Sequence, residues 1–148
     1  MKLVIILLTL TLCLSGCFSG QYVPPPECGD APSIILEYTK GDPRALRTGL
    51  LSVNVVGLES KVYTGEQARL FLQGVDNMLM KNLSYQGLLT YLNEHLAKIN
   101  KKGQVAMITL GVDTTTILQQ GGTQIIGACD KALVRKHLND QILVSSFY

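Results

Sequence analysis

Apolar side chains return every three or four residues along much of the chain, which is the spacing of one face of an α-helix. The clearest case follows Ser84, which can cap a helix at its start. Positive charge and glycine at 100–103 suit the end of that helix, because the helix dipole favours cations there and glycine adopts the terminating conformation. The apolar face of this predicted helix at 85–99 consists of Tyr85, Leu88, Leu89, Leu92, Leu96 and Ile99.

An upstream helix is predicted at 43–57. Asp42 can cap it and Pro43 suits its first position, since proline lacks the N–H that a first turn leaves unpaired. The valines at 53, 55 and 56 favour a strand, but the spacing of the apolar residues favours the helix. These residues are Leu46, Leu50, Val53 and Val56.

Three other segments also have helical signals. Thr64 and Gln67 have the order of a capping box, and an apolar face continues behind them from Ala68 to Met80. A short helix is predicted at 33–40, directly after a proline. Asp130 is expected to cap the last helix. The side chains of that helix expected to face inward, at least in part, are Leu133, Val134, His137, Leu138 and Ile142.

The stretch 104–118 is ambiguous, because 105–110 is apolar on every side and the β-branched run at 114–117 favours a strand. A lone strand cannot satisfy its backbone groups, and no second strong strand is evident, so a helix is favoured. The expected fold is mainly α, a small bundle of about five helices after a Pro-rich tether. An α+β fold with a strand near 104–110 is the alternative.

The N-terminus has the pattern of an export signal, with Lys2, an apolar run to Leu14 and then small residues. The sequence Leu14-Ser15-Gly16-Cys17 resembles a bacterial lipobox. The resemblance implies that Cys17 is joined to diacylglycerol, that residues 1–16 are removed and that the new amino end is acylated, for example with palmitate. A membrane-spanning anchor is the weaker interpretation, since such a helix needs about 20 apolar residues. An ordinary secretory signal would end at a small-residue cleavage site that is not found here.

The domain organisation follows from that signal. Residues 17–32 are expected to form a lipidated tether, because three consecutive prolines at 24–26 favour an extended, stiff spacer. Residues 33–148 are then a single globular helical domain. The mature chain has 132 of the 148 residues, which is enough to bury a core.

Two of the four cysteines remain for the mature domain, since Cys13 leaves with the signal and Cys17 takes the lipid. Cys28 and Cys129 are read first as a disulfide, because exported proteins favour one. Two free thiols are the alternative. Zinc is disfavoured because no pair of cysteines or histidines has the usual ligand spacing.

Charge and motifs point to no recognisable chemistry. Loss of Lys2 reduces the 13 Lys and Arg residues to 12 against 11 Asp and Glu, and this near-neutral balance argues against a nucleic-acid partner. Serine-hydrolase and phosphate-loop patterns are absent. His95 and His137 stand apart from catalytic partners, so no catalytic residue, metal or cofactor is predicted. A basic patch that could approach lipid headgroups includes Lys98, Lys101 and Lys102, with Lys131, Arg135 and Lys136 nearby in the last helix.

The expected function is therefore contact rather than catalysis. We expect a lipid-anchored lipoprotein of the bacterial cell envelope, at the outer membrane facing the periplasm, that binds other envelope proteins as a structural or assembly accessory. Small helical lipoproteins that act as pilotins have this general form, which is an analogy only. A carrier of small apolar ligands is the alternative, and an enzyme is less favoured. A large cavity would support the carrier, whereas converging titratable groups in a cleft would support the enzyme.

Overall fold

The computed structural model describes residues 20–96 and 113–148. Within these residues the chain forms six helices and no sheet. The prediction of a mainly helical fold is confirmed. Residues 113–118, for which a strand was considered, are helical, whereas the candidate strand at 104–110 lies outside the described residues. The helices are α1 (Ile34–Tyr38), α2 (Arg44–Glu59), α3 (Gly65–Leu79), α4 (Tyr85–Leu96), α5 (113–121) and α6 (Ala128–Ser145).

Helix α6 is the centre of the bundle. It packs most extensively against α3 and also contacts α2 and α1, while α4 packs against α3. A helix with neighbours on several sides cannot keep a single apolar stripe, and polar as well as apolar residues of α6 are therefore buried. Its buried residues are Cys129, Asp130, Leu133, Leu138, Gln141 and Ser145.

The helix starts largely follow the predicted capping chemistry. Thr64 and Gln67 form the complete capping box of α3, and the Ser84 hydroxyl accepts a hydrogen bond from the Gly87 N–H at 3.0 Å. Pro43 is the N-cap of α2 rather than its first residue. The Asp42 carboxylate still accepts the Arg44 N–H at 3.0 Å, so the expected side-chain acceptor is present one position earlier.

The prediction that Asp130 caps the last helix is wrong. Helix α6 begins earlier, at Ala128, because Gly127 adopts the extended N-cap conformation. Asp130 therefore lies in the first turn, and its carboxylate accepts the Ile34 N–H of α1 at 3.1 Å. It also accepts hydrogen bonds from the hydroxyls of Ser33 and Tyr85. Asp130 thus caps a neighbouring helix and joins α1, α4 and α6.

Two glycines permit close helix contacts. A Cβ on Gly65 would lie 2.2 Å from the Ser145 carbonyl oxygen, and one on Gly121 would lie 2.1 Å from the Tyr85 ring. Neither distance is compatible with a side chain. The start of α3 therefore rests on the end of α6, and the end of α5 rests on α4.

The main core cluster confirms part of the apolar face predicted for α4. Tyr85 and Leu88 are buried, whereas Leu89 and Leu92 are half-buried; the side chain of Leu96, and Ile99, lie outside the described residues. The buried cluster consists of Val75, Leu79, Tyr85, Leu88, Leu118, Ile126 and Leu138. Two smaller clusters surround Cys129 and Leu133, and Leu58 and Tyr63.

The segment predicted as a spacer contacts the domain from Gly20 onward. The Arg44 guanidinium donates to the Gly20 carbonyl oxygen at 2.7 Å and lies over the Tyr22 ring. The Sγ atoms of Cys28 and Cys129 are 2.13 Å apart, at the distance of a disulfide bond. The cysteine pair joins this segment to the first turn of α6, as the sequence predicted. Within the described residues, no helix combines the length and apolarity needed to cross a membrane.

Candidate functional site: an apolar cavity beside Arg47

A cavity of about 1250 Å³ lies among α2, α3, α4, α5 and α6. Its walls are mainly aliphatic and aromatic. Helix α2 contributes one wall, helices α3 and α4 contribute another, and α5 and α6 complete it. The apolar lining residues include Leu46, Leu50, Leu58, Phe71, Leu72, Val75, Leu88, Leu89, Leu92, Ile117, Leu118, Val134 and Leu138.

The position of α2 explains the cavity. This helix makes its helix contacts mainly with α6, so its N-terminal half is not pressed against α3 or α4. Leu46 and Leu50 are half-buried, line the cavity and belong to none of the three buried clusters. Leu46 and Leu50, which belong to the apolar face from which α2 was predicted, therefore line a cavity and are not part of a packed core.

A directed chain of hydrogen bonds crosses the polar side of the cavity. The Tyr63 hydroxyl donates to Asn54 Oδ1 at 2.8 Å, and Asn54 Nδ2 donates to Gln141 Oε1 at 2.6 Å. Gln141 Nε2 then donates to His137 Nε2 at 3.1 Å. Each amide is oriented by its neighbours, so the Nε2 atom of His137 is held as an acceptor.

The same surroundings keep His137 neutral. Burial lowers its pKa from 6.5 to about 4, with a further lowering by the positive charge of Arg47 and a smaller opposing effect of Asp140. A histidine that accepts a hydrogen bond at one nitrogen cannot become doubly protonated without losing it. The His137 ring lines the cavity, in line with the expectation that it faces inward at least in part.

Arg47 is the charged group of α2 at this site. Its Nη2 pairs with the Asp140 carboxylate, but its Nε is buried and has no hydrogen-bond partner among the described residues. Arg47 and His137 also line an adjoining pocket of about 220 Å³, to which Arg44, Thr48, Leu51 and Asp140 contribute. The guanidinium therefore stands where the large cavity and the small pocket meet.

Asp130 also lines the cavity and is fully engaged. It is 1% exposed, and its donors are the hydroxyls of Ser33 and Tyr85 and the backbone N–H groups of α1. Burial, and secondly the hydrogen bond to Asp130, raise the pKa of Tyr85, so this phenol remains a donor. The hydrogen bonds of the Asp130 carboxylate thus connect α6 to α1 and α4.

The residues that the sequence singled out are largely elsewhere. Cys17 and the proposed headgroup patch of Lys98, Lys101 and Lys102 lie outside the described residues. Of the other basic residues, Lys131 donates to the Lys81 carbonyl oxygen and Arg135 pairs with Asp76 at 2.8 Å. His95 is half-buried, stacks on Tyr91 and lines the cavity.

Sequence reasoning missed Arg47 and Asn54. A signal was available, because both are polar residues among the apolar positions of α2. Asn54 follows Leu50 by four residues and Arg47 precedes it by three, so both share the face of Leu50. A polar residue on an otherwise apolar helix face requires a buried partner or a ligand, and here it marks the polar side of the cavity.

Comparison with known proteins gives no relative for this site: no family model, curated protein or solved structure matches the chain. Within residues 20–96 and 113–148, no group of three or more His, Cys, Asp or Glu side chains is placed to hold a metal ion. The described lining offers apolar walls, the neutral His137 and the cationic Arg47.

Proposed function

We propose that this protein is a lipid-anchored lipoprotein of the cell envelope whose helical domain binds an apolar ligand in the cavity. The carrying observation is the cavity itself, about 1250 Å³ with mainly apolar walls. Ligand pockets in proteins are commonly about 300–1000 Å³ and mostly apolar, with a few polar groups that orient the ligand. This cavity is at least that large and has such groups on one side.

Binding rather than turnover is the better proposal for this cavity. Two of its titratable groups are engaged in ways that oppose acid–base work: Asp130 accepts from several donors, and His137 accepts from Gln141. A general base needs a free lone pair within reach of a substrate proton. The alternative of a small-ligand carrier, weighed from the sequence, therefore becomes the leading function.

The envelope location remains a proposal that depends on Cys17. Lipidation would attach the chain to a membrane firmly, since a single acyl chain binds only marginally and the expected modification adds several. Mass spectrometry of the mature N-terminal peptide should find it beginning at an acylated Cys17. An unmodified peptide from the membrane fraction, or one that still contains residues 1–16, would contradict the anchor.

The cavity is tested by photolabelling the full-length chain in its native membranes with a diazirine analogue of hexadecanol. Peptide mapping should place the label on cavity residues of α2 and α4. Leu50→Trp should reduce this labelling strongly, because the indole fills the cavity from α2. Val56→Trp is the matched control, because Val56 is on the same helix, 58% exposed and outside the cavity lining. Equal labelling of the two variants would overturn the proposal.

A second candidate is the protein contact expected from the sequence. Leu143 lies in the last turn of α6 and Phe147 two residues beyond its end, and they are 60% and 78% exposed. Large apolar side chains exposed together are a feature of interaction surfaces. If they bind another envelope protein, Leu143→Ser with Phe147→Ser should abolish a specific crosslink in intact cells while leaving the cavity labelling unchanged.

A further inference from the structure

We infer that the ligand of the cavity is an amphiphile whose anionic oxygen head is bound by the Arg47 guanidinium. This inference rests on the cavity-binding function proposed above and adds the chemical class of the ligand. An apolar chain would occupy the cavity, and the head would lie where the cavity meets the pocket formed with Arg44, Thr48 and Asp140.

The unpaired Nε of Arg47 is the first support. A buried N–H without an acceptor is costly, and such groups in proteins nearly always have a protein, water or ligand partner. Here the Nη2 of the same side chain is engaged by Asp140, while Nε is buried without a partner among the described residues. An oxygen of a bound ligand could accept the hydrogen bond of the Arg47 Nε–H. An anionic oxygen would form the stronger, charge-assisted bond.

The second support is the shape of the site. Arg47 and His137 belong to the lining of both the cavity and the pocket of about 220 Å³. A large apolar space beside a small one lined mostly by charged and polar residues matches a molecule with a long chain and a compact head. Gln141 holds His137 Nε2 as an acceptor, which leaves its other nitrogen to carry a proton that a head oxygen can accept.

The third support is the sign of the local field. Asp140 neutralises Arg47 only in part, because that carboxylate is 46% exposed and so is substantially hydrated. At His137, the effect of the Arg47 charge on the pKa exceeds the opposing effect of Asp140. At the His137 ring the net field of these two charges is therefore positive, which favours an anionic head beside it over a neutral one.

The position of the proposed anchor indicates a source for such a ligand. The Gly20 carbonyl oxygen lies 2.7 Å from the Arg44 guanidinium, on the wall of the small pocket. Cys17 precedes Gly20 by three residues, a reach of about 10 Å. A lipid on Cys17 would keep this pocket close to a membrane surface, where anionic amphiphiles are concentrated.

The experiment compares diazirine analogues of palmitic acid and hexadecanol, which share a chain and differ in the head. With the full-length chain in native membranes, the acid should label the cavity more than the alcohol. Arg47→Gln should reduce this preference by at least about tenfold, since hydrogen bonds to charged groups contribute about 1.5–3 kcal/mol. Arg135→Gln removes a guanidinium from a surface pair with Asp76, outside the cavity, and is the matched control.

Asp140→Asn keeps the test informative if Arg47→Gln does not fold. Loss of the competing carboxylate should raise the preference for the acid. Labelling by a phosphatidylglycerol analogue with the same diazirine chain tells whether a membrane lipid or a free fatty acid is the source, and Arg47-dependent labelling by either supports the inference. Equal labelling by acid and alcohol, unchanged in Arg47→Gln and Asp140→Asn, would overturn it. Absence of cavity labelling by every probe would instead reject the cavity-binding function.

Discussion

Asp130 and Arg47 are charged residues that line the same cavity, yet their surroundings differ in kind. The Asp130 carboxylate accepts hydrogen bonds from two hydroxyls and from backbone N–H groups of α1, which satisfy its oxygens. The Arg47 guanidinium has one carboxylate partner and one buried N–H without any among the described residues. A buried charge with all its partners stabilises a fold, whereas one with a missing partner has a role that the fold alone does not explain.

The largest effect is expected at Asp130. Asp130→Ala should lower the free energy of unfolding by at least about 3 kcal/mol, because it leaves several buried donors without an acceptor. Urea denaturation followed by circular dichroism measures the change. Asp76→Ala, which breaks the partly exposed pair with Arg135, should change stability by less than about 1 kcal/mol. Similar losses in the two variants would mean that Asp130 is not the junction of α1, α4 and α6.

The same contrast applies to leucines of α4. Leu88 is buried in the main cluster, so Leu88→Ala should cost about 2–5 kcal/mol. Both leucines line the cavity, but Leu92 is only half-buried, so Leu92→Ala should cost clearly less than Leu88→Ala. Thermal unfolding of both variants decides this. An equal loss would mean that Leu92 contributes as much to the core as Leu88 does.

Local signals in the sequence were enough to predict most of the helices. The capping box of Thr64 and the serine cap of α4 are interactions between residues three apart, so they can be predicted from the local sequence. Cys28 and Cys129 could be paired because the expected export left no other partner. These predictions required no knowledge of how the helices pack.

The candidate site could not be predicted in the same way. Asp130 has the residue type and position of an N-cap, but its acceptor oxygens face α1, which lies 96 residues away in the sequence. Arg47 and His137 meet only because α2 packs on α6. Which side of an apolar helix face lines a cavity depends on the spacing between helices, and no periodicity in a single segment encodes that spacing.

His137 gives the next prediction, which concerns pH. The unfolded chain binds the His137 proton near pH 6.5, whereas in the folded chain the pKa is lowered to about 4, so between these values the unfolded state binds more protons. The contribution of this residue is complete above about pH 6.5 and is lost as the pH falls towards 4, by on the order of 3 kcal/mol. His137→Gln should flatten this part of the stability curve, because an amide does not bind a proton in this pH range. The glutamine can still accept the hydrogen bond from Gln141, so the hydrogen-bond chain is kept. His95→Gln, a change outside the hydrogen-bond chain, should retain the slope.

The smallest effect on the free energy of unfolding is expected at Arg47. This prediction distinguishes Arg47 from Asp130 most clearly. Arg47→Met loses a partly exposed ion pair with Asp140, a contribution of about 0–1 kcal/mol, but it also removes the unpaired buried N–H, which offsets the loss. The flexible thioether replaces much of the aliphatic volume. Denaturation at pH 7 should therefore give a free energy within about 1 kcal/mol of the unsubstituted chain.

The pH dependence of Arg47→Met supplies a second readout that simple repacking would not move. Without the positive charge of Arg47, the pKa of His137 should rise towards its ordinary value, and the loss of stability between pH 6.5 and 4 should become smaller. Arg135→Met, which removes a guanidinium paired with Asp76 at the surface, should leave that pH dependence unchanged. A large loss of stability in Arg47→Met, with the pH dependence intact, would make Arg47 a structural residue like Asp130 and would remove the reason to assign it a ligand.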